Sequence, residues 1–319
     1  MTKTALVTGG TGFIGSYTAA EFLDNGYDVV AYDLSTDTRI LEKLGIADDV
    51  TVRRGDVTDP TDVARAVRET GAEVIVHLAA LLTTTARENP RSAHEVNIGG
   101  TNNVFEAARL LDDQVERVAW ASSAAVYAPP QNYDHGWVDE GDLVYPDTLY
   151  GATKEYNEHQ ARVYHEDHDV SHVGLRPTVA YGPYRETGGS AFLANIVEKP
   201  ALGEPFSVEY GDQTIDWQHV KDIALAFRLA AEAPEADLSR RVFNVRGEAA
   251  TIREAVETVR DIVPDADLSV TDEGELPWTQ KLDMSAAEEQ LGYVPQYDLT
   301  SGFRDYIDVL RADAGFDPL

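Results

Sequence analysis

The chain has 319 residues, enough to bury a sizeable core in one large or two moderate domains. Its 56 acidic and 26 basic residues give a formal net charge of −30, which excludes nucleic acid and anionic membranes as partners because both would be repelled. The absence of cysteine excludes disulfides and thiolate chemistry, and without a membrane-length apolar run or a signal-peptide pattern we expect a cytoplasmic protein.

Short apolar runs alternate with amphipathic stretches through the first half of the chain, which is typical of βα units around a parallel sheet. The runs do not alternate internally, as expected of strands buried on both faces. The predicted strands are Thr4–Val7, Asp28–Tyr32, Val50–Arg53, Val74–His77, Val118–Ala121 and His172–Leu175. The predicted helices lie near Gly12–Asn25, Pro60–Thr70, Pro90–Leu111 and Leu149–Asp167. The pattern predicts an α/β fold with a Rossmann-type, doubly wound parallel sheet.

The rhythm of the sequence changes after Arg176-Pro177, where loops lengthen and glycine and proline become frequent. We expect two units, a Rossmann domain over residues 1–176 and a smaller substrate-binding lobe over residues 177–319. Residues 216–245 contain segments that could return to the sheet domain, so the boundary is expected to be discontinuous.

A glycine-rich turn, Gly9–Gly15, follows the first strand and opens the first helix. Such a turn lets the backbone approach a pyrophosphate, and the helix N-terminus offers free N–H groups to the phosphates. Asp33 ends the second strand about twenty residues on, where a carboxylate accepts from the ribose hydroxyls and repels a 2′-phosphate. The alternative for Asp33 is a cap before Ser35. The predicted cofactor contacts of the turn are Gly9, Thr11, Gly12, Phe13, Ile14 and Gly15, and the cofactor is NAD rather than NADP.

The ends of the third and fourth strands extend the predicted cofactor site. Asp56 and Val57 follow the third strand, where an adenine could lie, although Asp56 could also be a helix cap. The fourth strand ends in small residues, Leu78, Ala79 and Ala80, that leave room for a dinucleotide at the carboxyl edge of the sheet. His77 is interpreted as a packed polar residue rather than an acid or base.

Tyr150 and Lys154 are four residues apart on a predicted helix, so both side chains lie on one face. A phenol, with a reference pKa near 10, is a poor base at neutral pH. An ammonium about 4 Å away, at an effective dielectric near 20, favours the tyrosinate by roughly 4 kcal/mol, or about three pKa units. The pair therefore predicts proton abstraction from a hydroxyl while hydride leaves the same carbon.

These elements together resemble the extended short-chain dehydrogenase/reductase superfamily, which contains nucleotide-sugar epimerases and dehydratases. The resemblance covers nearly the whole chain. The matching motifs are Thr8–Gly15, Asp33, Asp56-Val57, His77–Ala80, Asn97, Ser122–Tyr127, Tyr150/Lys154, Leu175–Pro177 and Tyr181–Pro183.

The resemblance implies a role for each matching residue. Tyr150 is expected to be the general base, and Lys154 is expected to bind the nicotinamide ribose and lower the pKa of Tyr150. Ser123 matches the serine that hydrogen-bonds the reacting hydroxyl, although Ser122 and Ser123 could also be turn residues at a strand end. Asn97 matches the asparagine that organises the active-site helix region, and a hydrogen-bonded polar residue inside a helix is the alternative. Dehydratases of the family carry an acid just after that serine, where this chain has Ala124 and Ala125, so dehydration is disfavoured.

Two positions depart from the nucleotide-sugar enzymes. Val179 stands where those enzymes commonly have an asparagine that binds phosphate, and Ile215 stands where they have an arginine that clamps the diphosphate. Arg185 and Lys281 could compensate, but each is interpreted as a surface charge. A smaller polyol, free sugar, sugar acid or hydroxy-amino acid therefore becomes plausible, and the C-terminal lobe has a loose likeness to the threonine dehydrogenase branch.

The predicted substrate contacts are Ser122, Ser123, Thr83, Tyr150, Val179 and Trp217. For Thr83, a polar loop without a substrate contact is an equal alternative. For Trp217, the alternative is packing in the core. His219 is interpreted as a residue at the start of a helix. We expect an NAD-dependent epimerase or dehydrogenase without a metal. A non-catalytic NAD-sensing module is the rival.

Two expectations concern the protein as a whole. By analogy with the family we expect a homodimer paired through the helices near Pro90–Leu111 and Leu149–Asp167. Only six of the 26 basic residues are lysines, and this scarcity, together with the acidic excess, predicts a protein of a salt-accumulating cytoplasm. An ordinary acidic protein of a mesophile is the alternative.

Overall fold

The computed structural model describes residues 2–134, 136–278 and 281–319. The strands are β1 Thr4–Thr8, β2 Asp28–Asp33, β3 Val50–Arg54, β4 Val74–His77, β5 Arg117–Ala121, β6 His172–Pro177, β7 Val179–Tyr181, β8 Phe206–Val208, β9 Thr214–His219, β10 Val242–Val245, β11 Glu248–Thr251 and β12 Leu268–Val270. The helices are α1 Phe13–Asp24, α2 Arg39–Lys43, α3 Pro60–Thr70, α4 Thr83–Glu88, α5 Pro90–Ala93, α6 Thr101–Leu110, α7 Leu149–His168, α8 Asn195–Ala201, α9 Val220–Glu232, α10 Ile252–Ile262, α11 Ser285–Leu291 and α12 Leu299–Asp313.

Seven strands form the main sheet in the order β10-β6-β5-β4-β1-β2-β3, and every neighbouring pair is parallel. Helices cover both faces of this sheet: α1 packs against α9 on one side, and α3 packs against α6 on the other. The strand order reverses between β4 and β1, which is where a doubly wound sheet opens a crevice for a ligand. The predicted fold class is confirmed.

All six predicted strands are present, within two residues at either end. The predicted helix Pro90–Leu111 is divided, because the residues His94–Gly100 between α5 and α6 form a π-helical segment. Such segments are rare and are frequently found at functional sites. Simple apolar periodicity does not distinguish a π segment from an α-helix, so the sequence did not reveal it.

A smaller lobe is built from the sheets β11-β9-β7 and β12-β8 and from helices α8, α10 and α12. Its core surrounds Trp217, Phe303 and Tyr306. The chain returns to the main sheet in α9 and β10, the latter pairing with β6. The expected return over residues 216–245 therefore begins at Val220, since the residues before it belong to β9 of the lobe.

The helix that carries Tyr150 and Lys154 has clear local signals at both ends. The side chain of Thr148 accepts a hydrogen bond from the Gly151 amide at 3.0 Å and caps the N-terminus of α7. Asp169 ends the helix in the left-handed region at φ 56°. In the part of the chain that the structure describes, no helix is both long and apolar enough to cross a lipid bilayer.

Candidate functional site

A crevice of about 760 Å³ runs along the carboxyl ends of the main-sheet strands and continues beneath the smaller lobe. The residues that line it at these strand ends include Gly9 after β1, Asp33 at the end of β2, Leu78 after β4 and Ala121 at the end of β5. Its volume is in the range of roughly 300–1,000 Å³ that is usual for ligand sites. The fold therefore places one large binding site where a doubly wound sheet is expected to have one.

The glycine turn has the geometry of a phosphate-binding loop. Gly9 has φ +70°, and a Cβ there would lie 3.0 Å from the Ala79 amide nitrogen. A Cβ on Gly15 would collide with the Gly9 carbonyl oxygen, so a glycine at this position allows the first turn of α1 to pack closely against the glycine turn. Gly12 is the N-cap of α1 with no side-chain cap, and a Cβ there would meet only the Gly9 carbonyl, at 3.2 Å. The free N–H groups of α1 thus face a cradle without side chains, which fits a pyrophosphate.

Thr11 is the one predicted residue of the turn whose position differs. It is buried and does not line the crevice, whereas Gly9, Gly12, Phe13, Ile14 and Gly15 do. Its amide donates to Oδ2 of Asp33 at 3.2 Å, which ties the turn to β2. Thr11 therefore supports the site from behind because its side chain is packed away from the opening.

Asp33 and Asp56 both line the crevice, and neither is a helix cap, since the N-caps of α2 and α3 are Thr38 and Asp59. Asp33 lines the crevice while its Oδ1 accepts from the Ser35 amide at 3.1 Å. Asp56 also lines the crevice, and its Oδ1 accepts from the amide and hydroxyl of Thr58 at 2.9 and 2.8 Å. Their local hydrogen bonds fix the two carboxylates at the crevice wall, beside Val57.

The end of β4 is shaped by buried polar contacts. His77 lies between the hydroxyls of Thr8 and Thr101, at 2.7 and 3.0 Å, and burial lowers its pKa to about 3. His77 is therefore neutral at pH 7 and does not line the crevice, as interpreted from the sequence. Leu78, Ala79 and Ala80, which follow it, do line the crevice.

Tyr150 and Lys154 both lie in the crevice, one helical turn apart on α7. Lys154 Nζ donates to the Ala121 carbonyl at 2.6 Å, and burial lowers the pKa of Lys154 to about 8. Burial raises the pKa of Tyr150 to about 12, with a hydrogen bond from Ser123 acting in the opposite direction. The expected lowering of the Tyr150 pKa by Lys154 is not found, because the ammonium is directed to Ala121 and lies 5.6 Å from the centre of the Tyr150 ring.

The two candidate serines have different partners although both line the crevice. The Ser123 hydroxyl accepts from the Ala125 amide at 3.1 Å and hydrogen-bonds Tyr150. The Ser122 hydroxyl donates to Glu158 at 2.6 Å and is 1% exposed. The structure therefore places Ser123, rather than Ser122, where a hydroxyl can act together with Tyr150.

Asn97 lies within the π-helical segment and is 1% exposed. Its side-chain oxygen accepts from the Leu81 amide at 2.7 Å, and its side-chain nitrogen donates to the Leu81 carbonyl at 3.0 Å and to Thr153 at 3.1 Å. Asn97 thus fastens the loop after β4 to α7, one residue before Lys154.

The far end of the crevice, beneath the smaller lobe, is lined by Thr83, Val179, Ile215 and Trp278. Trp217 does not line it, which corrects the prediction. The indole packs inside the lobe against Phe303 at 5.7 Å between ring centres.

Two further predictions concern residues near this end. His219 is the N-cap of α9, in agreement with the favoured interpretation. Arg185, interpreted as a surface charge, instead lines the crevice. It donates to the Ala180 carbonyl and, at 2.7 Å, to Ser190, and burial lowers its pKa to about 10. Its place two residues after the Tyr181–Pro183 motif was the signal that could have located it.

Comparison with known proteins identifies a family that matches most of the chain. The family described as NAD dependent epimerase/dehydratase matches residues 5–245. A UDP-glucose 4-epimerase of Mycolicibacterium smegmatis is 30% identical, covering 96% of this chain and 98% of that protein.

Two solved structures cover nearly the whole chain. The UDP-glucose 4-epimerase of Thermus thermophilus in complex with NAD has a TM-score of 0.80 at 28% identity and covers 97% of this chain and 99% of that one. The GalE-like L-threonine dehydrogenase of Cupriavidus necator in its holo form has a TM-score of 0.86 at 25% identity, with 96% and 99% covered.

The crevice, the glycine cradle and the Tyr150–Lys154 pair thus agree with the match over residues 5–245. NAD is the cofactor that the family uses, and the glycine turn and Asp33 fit it. The chain belongs to the NAD dependent epimerase/dehydratase family and is an NAD-dependent enzyme of the extended short-chain dehydrogenase/reductase type.

Proposed function

We propose that this enzyme is a dehydrogenase that oxidises the secondary alcohol of a small, carboxylate-bearing substrate of the hydroxy-acid or hydroxy-amino-acid class. The observation that carries the proposal is Arg185, a cation held in the wall of the crevice. It forms no ion pair with any carboxylate that the structure describes, since its donors go to neutral oxygens. A guanidinium in that position is suited to a substrate carboxylate, which it can hold bidentately.

The apolar side chains at the same end of the crevice argue against a sugar nucleotide. Val179 and Ile215 both line it, and neither can donate a hydrogen bond to a diphosphate. Each hydrogen bond to a charged group contributes about 1.5–3 kcal/mol, so the absence of two such donors would weaken diphosphate binding by several kcal/mol. A substrate with one compact anionic group needs only Arg185.

The chemistry of oxidation falls to the residues around Tyr150. Bound NAD supplies the hydride acceptor. Tyr150 removes the hydroxyl proton of the substrate, and Ser123, oriented by the Ala125 amide, hydrogen-bonds the same oxygen. Lys154 would hold the ribose of bound NAD, and its buried positive charge would favour the ionised form of Tyr150, one helical turn away. The crevice wall carries Ala124 and Ala125 but no acid at these positions, which leaves water expulsion unsupported.

A panel of substrates with NAD tests the proposal: L-threonine, other 3-hydroxy acids, polyols and aldoses, followed by absorbance of the reduced cofactor. Arg185→Gln should raise KM for a carboxylate substrate by about 10- to 100-fold with a smaller effect on kcat, as expected for a lost charge-assisted contact. Arg162→Gln, at an exposed site on α7, is the matched control and should change neither constant.

Tyr150→Phe should lower kcat by about 100-fold or more, and Tyr156→Phe on the exposed face of the same helix should not. A Tyr150→Phe variant with full activity would overturn the role of Tyr150. If no carboxylate substrate is oxidised, or if Arg185→Gln leaves KM unchanged, the proposed substrate class is wrong.

A second candidate is 4-epimerisation of a sugar nucleotide, which the 30% identity to the M. smegmatis UDP-glucose 4-epimerase favours. The same Tyr150 and Ser123 would serve, but the ketone would be re-reduced on the other face instead of released. Conversion of UDP-galactose to UDP-glucose without net NAD reduction would identify this reaction and replace the dehydrogenase proposal.

A further inference from the structure

Three residues spaced four apart on α7 hold the residues 121–123 at the end of β5. Tyr150 hydrogen-bonds the third of them, Lys154 donates to the carbonyl of the first at 2.6 Å, and Glu158 accepts from the hydroxyl of the second at 2.6 Å. Because these positions lie on one helix face, a single helix face sets the position of the strand end that carries the reacting hydroxyl. The first two contacts involve the reactive pair, whereas Glu158 does not touch the reacting atoms.

Glu158 is fixed by a second buried residue, Arg176 at the end of β6. The two form a bidentate pair with N–O distances of 2.8 and 2.6 Å, and their side chains are only 13% and 5% exposed. The remaining guanidinium nitrogen donates to the Tyr127 hydroxyl at 2.5 Å, and that hydroxyl lies 2.9 Å from the side-chain oxygen of Asn244 on β10. The pair therefore links α7 to β6 and β10 through contacts that are closed to water.

The Glu158 carboxylate determines what each serine can do. An ionised carboxylate only accepts hydrogen bonds, so the Ser122 hydroxyl must donate its proton to Glu158 and has none left for a substrate oxygen. Arg176 forms a bidentate pair with Glu158 in this buried site and so fixes the position of the carboxylate. Ser123, the next residue, is then the serine with a hydroxyl directed to Tyr150.

We propose that Glu158, held by Arg176, is a positioning residue for the reaction: it anchors Ser122 and thereby sets the orientation of Ser123 against Tyr150. Misplacing a reacting group by about 1 Å can cost on the order of 100-fold in rate, so loss of the anchor affects turnover rather than cofactor binding. The inference rests on the hydride-transfer chemistry proposed above but not on the identity of the substrate.

Ser122→Ala tests it most directly, because the change removes the anchor and leaves the Glu158–Arg176 pair intact. We expect kcat to fall about 10-fold, with the dissociation constant for NAD from calorimetry unchanged within two-fold and only a small change in Tm. Ser123→Ala should lose about 100-fold or more, since it removes the group that touches the reacting oxygen. The assay uses L-threonine with NAD, or UDP-galactose if the wild-type enzyme does not oxidise L-threonine, so failure of the substrate proposal leaves this test in place.

Coupling between the two positions separates positioning from a merely structural role. Glu158→Gln and the double variant Ser122→Ala/Glu158→Gln should have the same kcat within two-fold, because both act through one contact. Glu166→Gln, at an exposed site on α7, is the control and should retain full activity. Full kcat in Ser122→Ala, independent effects in the double variant, or a larger loss in Ser122→Ala than in Ser123→Ala would each overturn the proposal. If Glu158→Gln does not fold, the two serine variants alone decide.

Discussion

Lys154 is a cation held in a site that is almost closed to water, since only 2% of the residue is exposed. Burial lowers its pKa from 10.5 to about 8, so the ammonium is retained at pH 7 at the expense of stability. A pKa lowered this far corresponds to a cost on the order of 3 kcal/mol. The hydrogen bond to the Ala121 carbonyl offsets part of this cost.

Lys154→Met should therefore stabilise the fold at pH 7 while abolishing turnover. We expect a gain of about 1–2 kcal/mol, or a few degrees in Tm, after allowing for the Ala121 carbonyl left unpaired. Between about pH 8 and pH 10.5 the unfolded wild-type chain binds more protons than the folded chain, so wild-type stability rises with pH and the gain shrinks.

Thermal unfolding of both proteins at pH 7 and pH 10 measures this difference. Lys199→Met removes an exposed lysine paired with Glu204 and is the control, for which no gain is expected. A Lys154→Met variant less stable than wild type at pH 7 would contradict the argument.

The placement of a side chain could be predicted from the sequence where neighbouring residues determine it. It could not be predicted where a residue distant in the sequence determines it. The spacing of Tyr150 and Lys154 follows from helix geometry alone. The placement of Trp217 in the lobe core depends on Phe303, 86 positions away in the sequence, and the direction of the Lys154 ammonium depends on Ala121. A pattern in one sequence contains no information about such pairings.

At the scale of elements, two glycines of the same turn, Gly12 and Gly15, have different roles. A Cβ on Gly15 would collide with the Gly9 carbonyl oxygen, whereas a Cβ on Gly12 meets only that oxygen, at 3.2 Å, beside the open crevice. Gly15 is therefore needed for packing of α1 against the turn, and Gly12 is needed for the close approach of a ligand.

Gly12→Ala should leave Tm within a few degrees of wild type but weaken NAD binding by about 10-fold or more, because the new methyl occupies the phosphate cradle. Gly15→Ala should lower Tm markedly, since a backbone collision cannot be relieved by a side-chain rotation. Calorimetric titration with NAD and thermal unfolding report the two effects. Gly26→Ala, where nothing lies within 4 Å of the added methyl although φ is +82°, controls for the cost of a methyl away from the site. Equal effects of the Gly12 and Gly15 variants on Tm would show that the two positions do not differ as described.

The elements that sequence predicted best were those whose signals are local. The predicted bounds of α3 are the observed ones, and the local signals are clear: Asp59 caps the helix, Pro60 begins it and Gly71 ends it in the left-handed region. The lobe strands β7, β8 and β12 have three residues each, too few for a periodicity, and were not predicted individually. The pairing of β10 with β6 was not predicted as such; the sequence indicated only that this segment could return to the main sheet.

At the scale of the whole molecule, α6 and α7 leave large apolar side chains exposed. Leu110, Tyr156 and Val163 are 56%, 52% and 46% exposed, on the two helices expected to pair in a homodimer. We expect light scattering in 2 M KCl to give twice the chain mass, and Leu110→Asp with Val163→Asp to give a monomer, because a buried carboxylate without a partner is unfavourable. Val294→Asp, at a site 62% exposed elsewhere, should remain dimeric. A monomeric wild-type protein would contradict the dimer.

The net charge of −30 should make stability depend strongly on salt. Fifty-six acidic residues face only 26 basic ones, so repulsion outweighs the surface ion pairs, and folding brings the charges closer together. The Debye length falls from about 10 Å at 0.1 M to about 3 Å at 1 M, so molar salt screens this repulsion. We expect Tm to rise by on the order of 10 °C between 0.1 and 2 M KCl, whereas sucrose at matched osmolality should give a smaller rise because it does not screen charge. A Tm that is constant or falls over this range of KCl would show that the acidic surface is not an adaptation to salt.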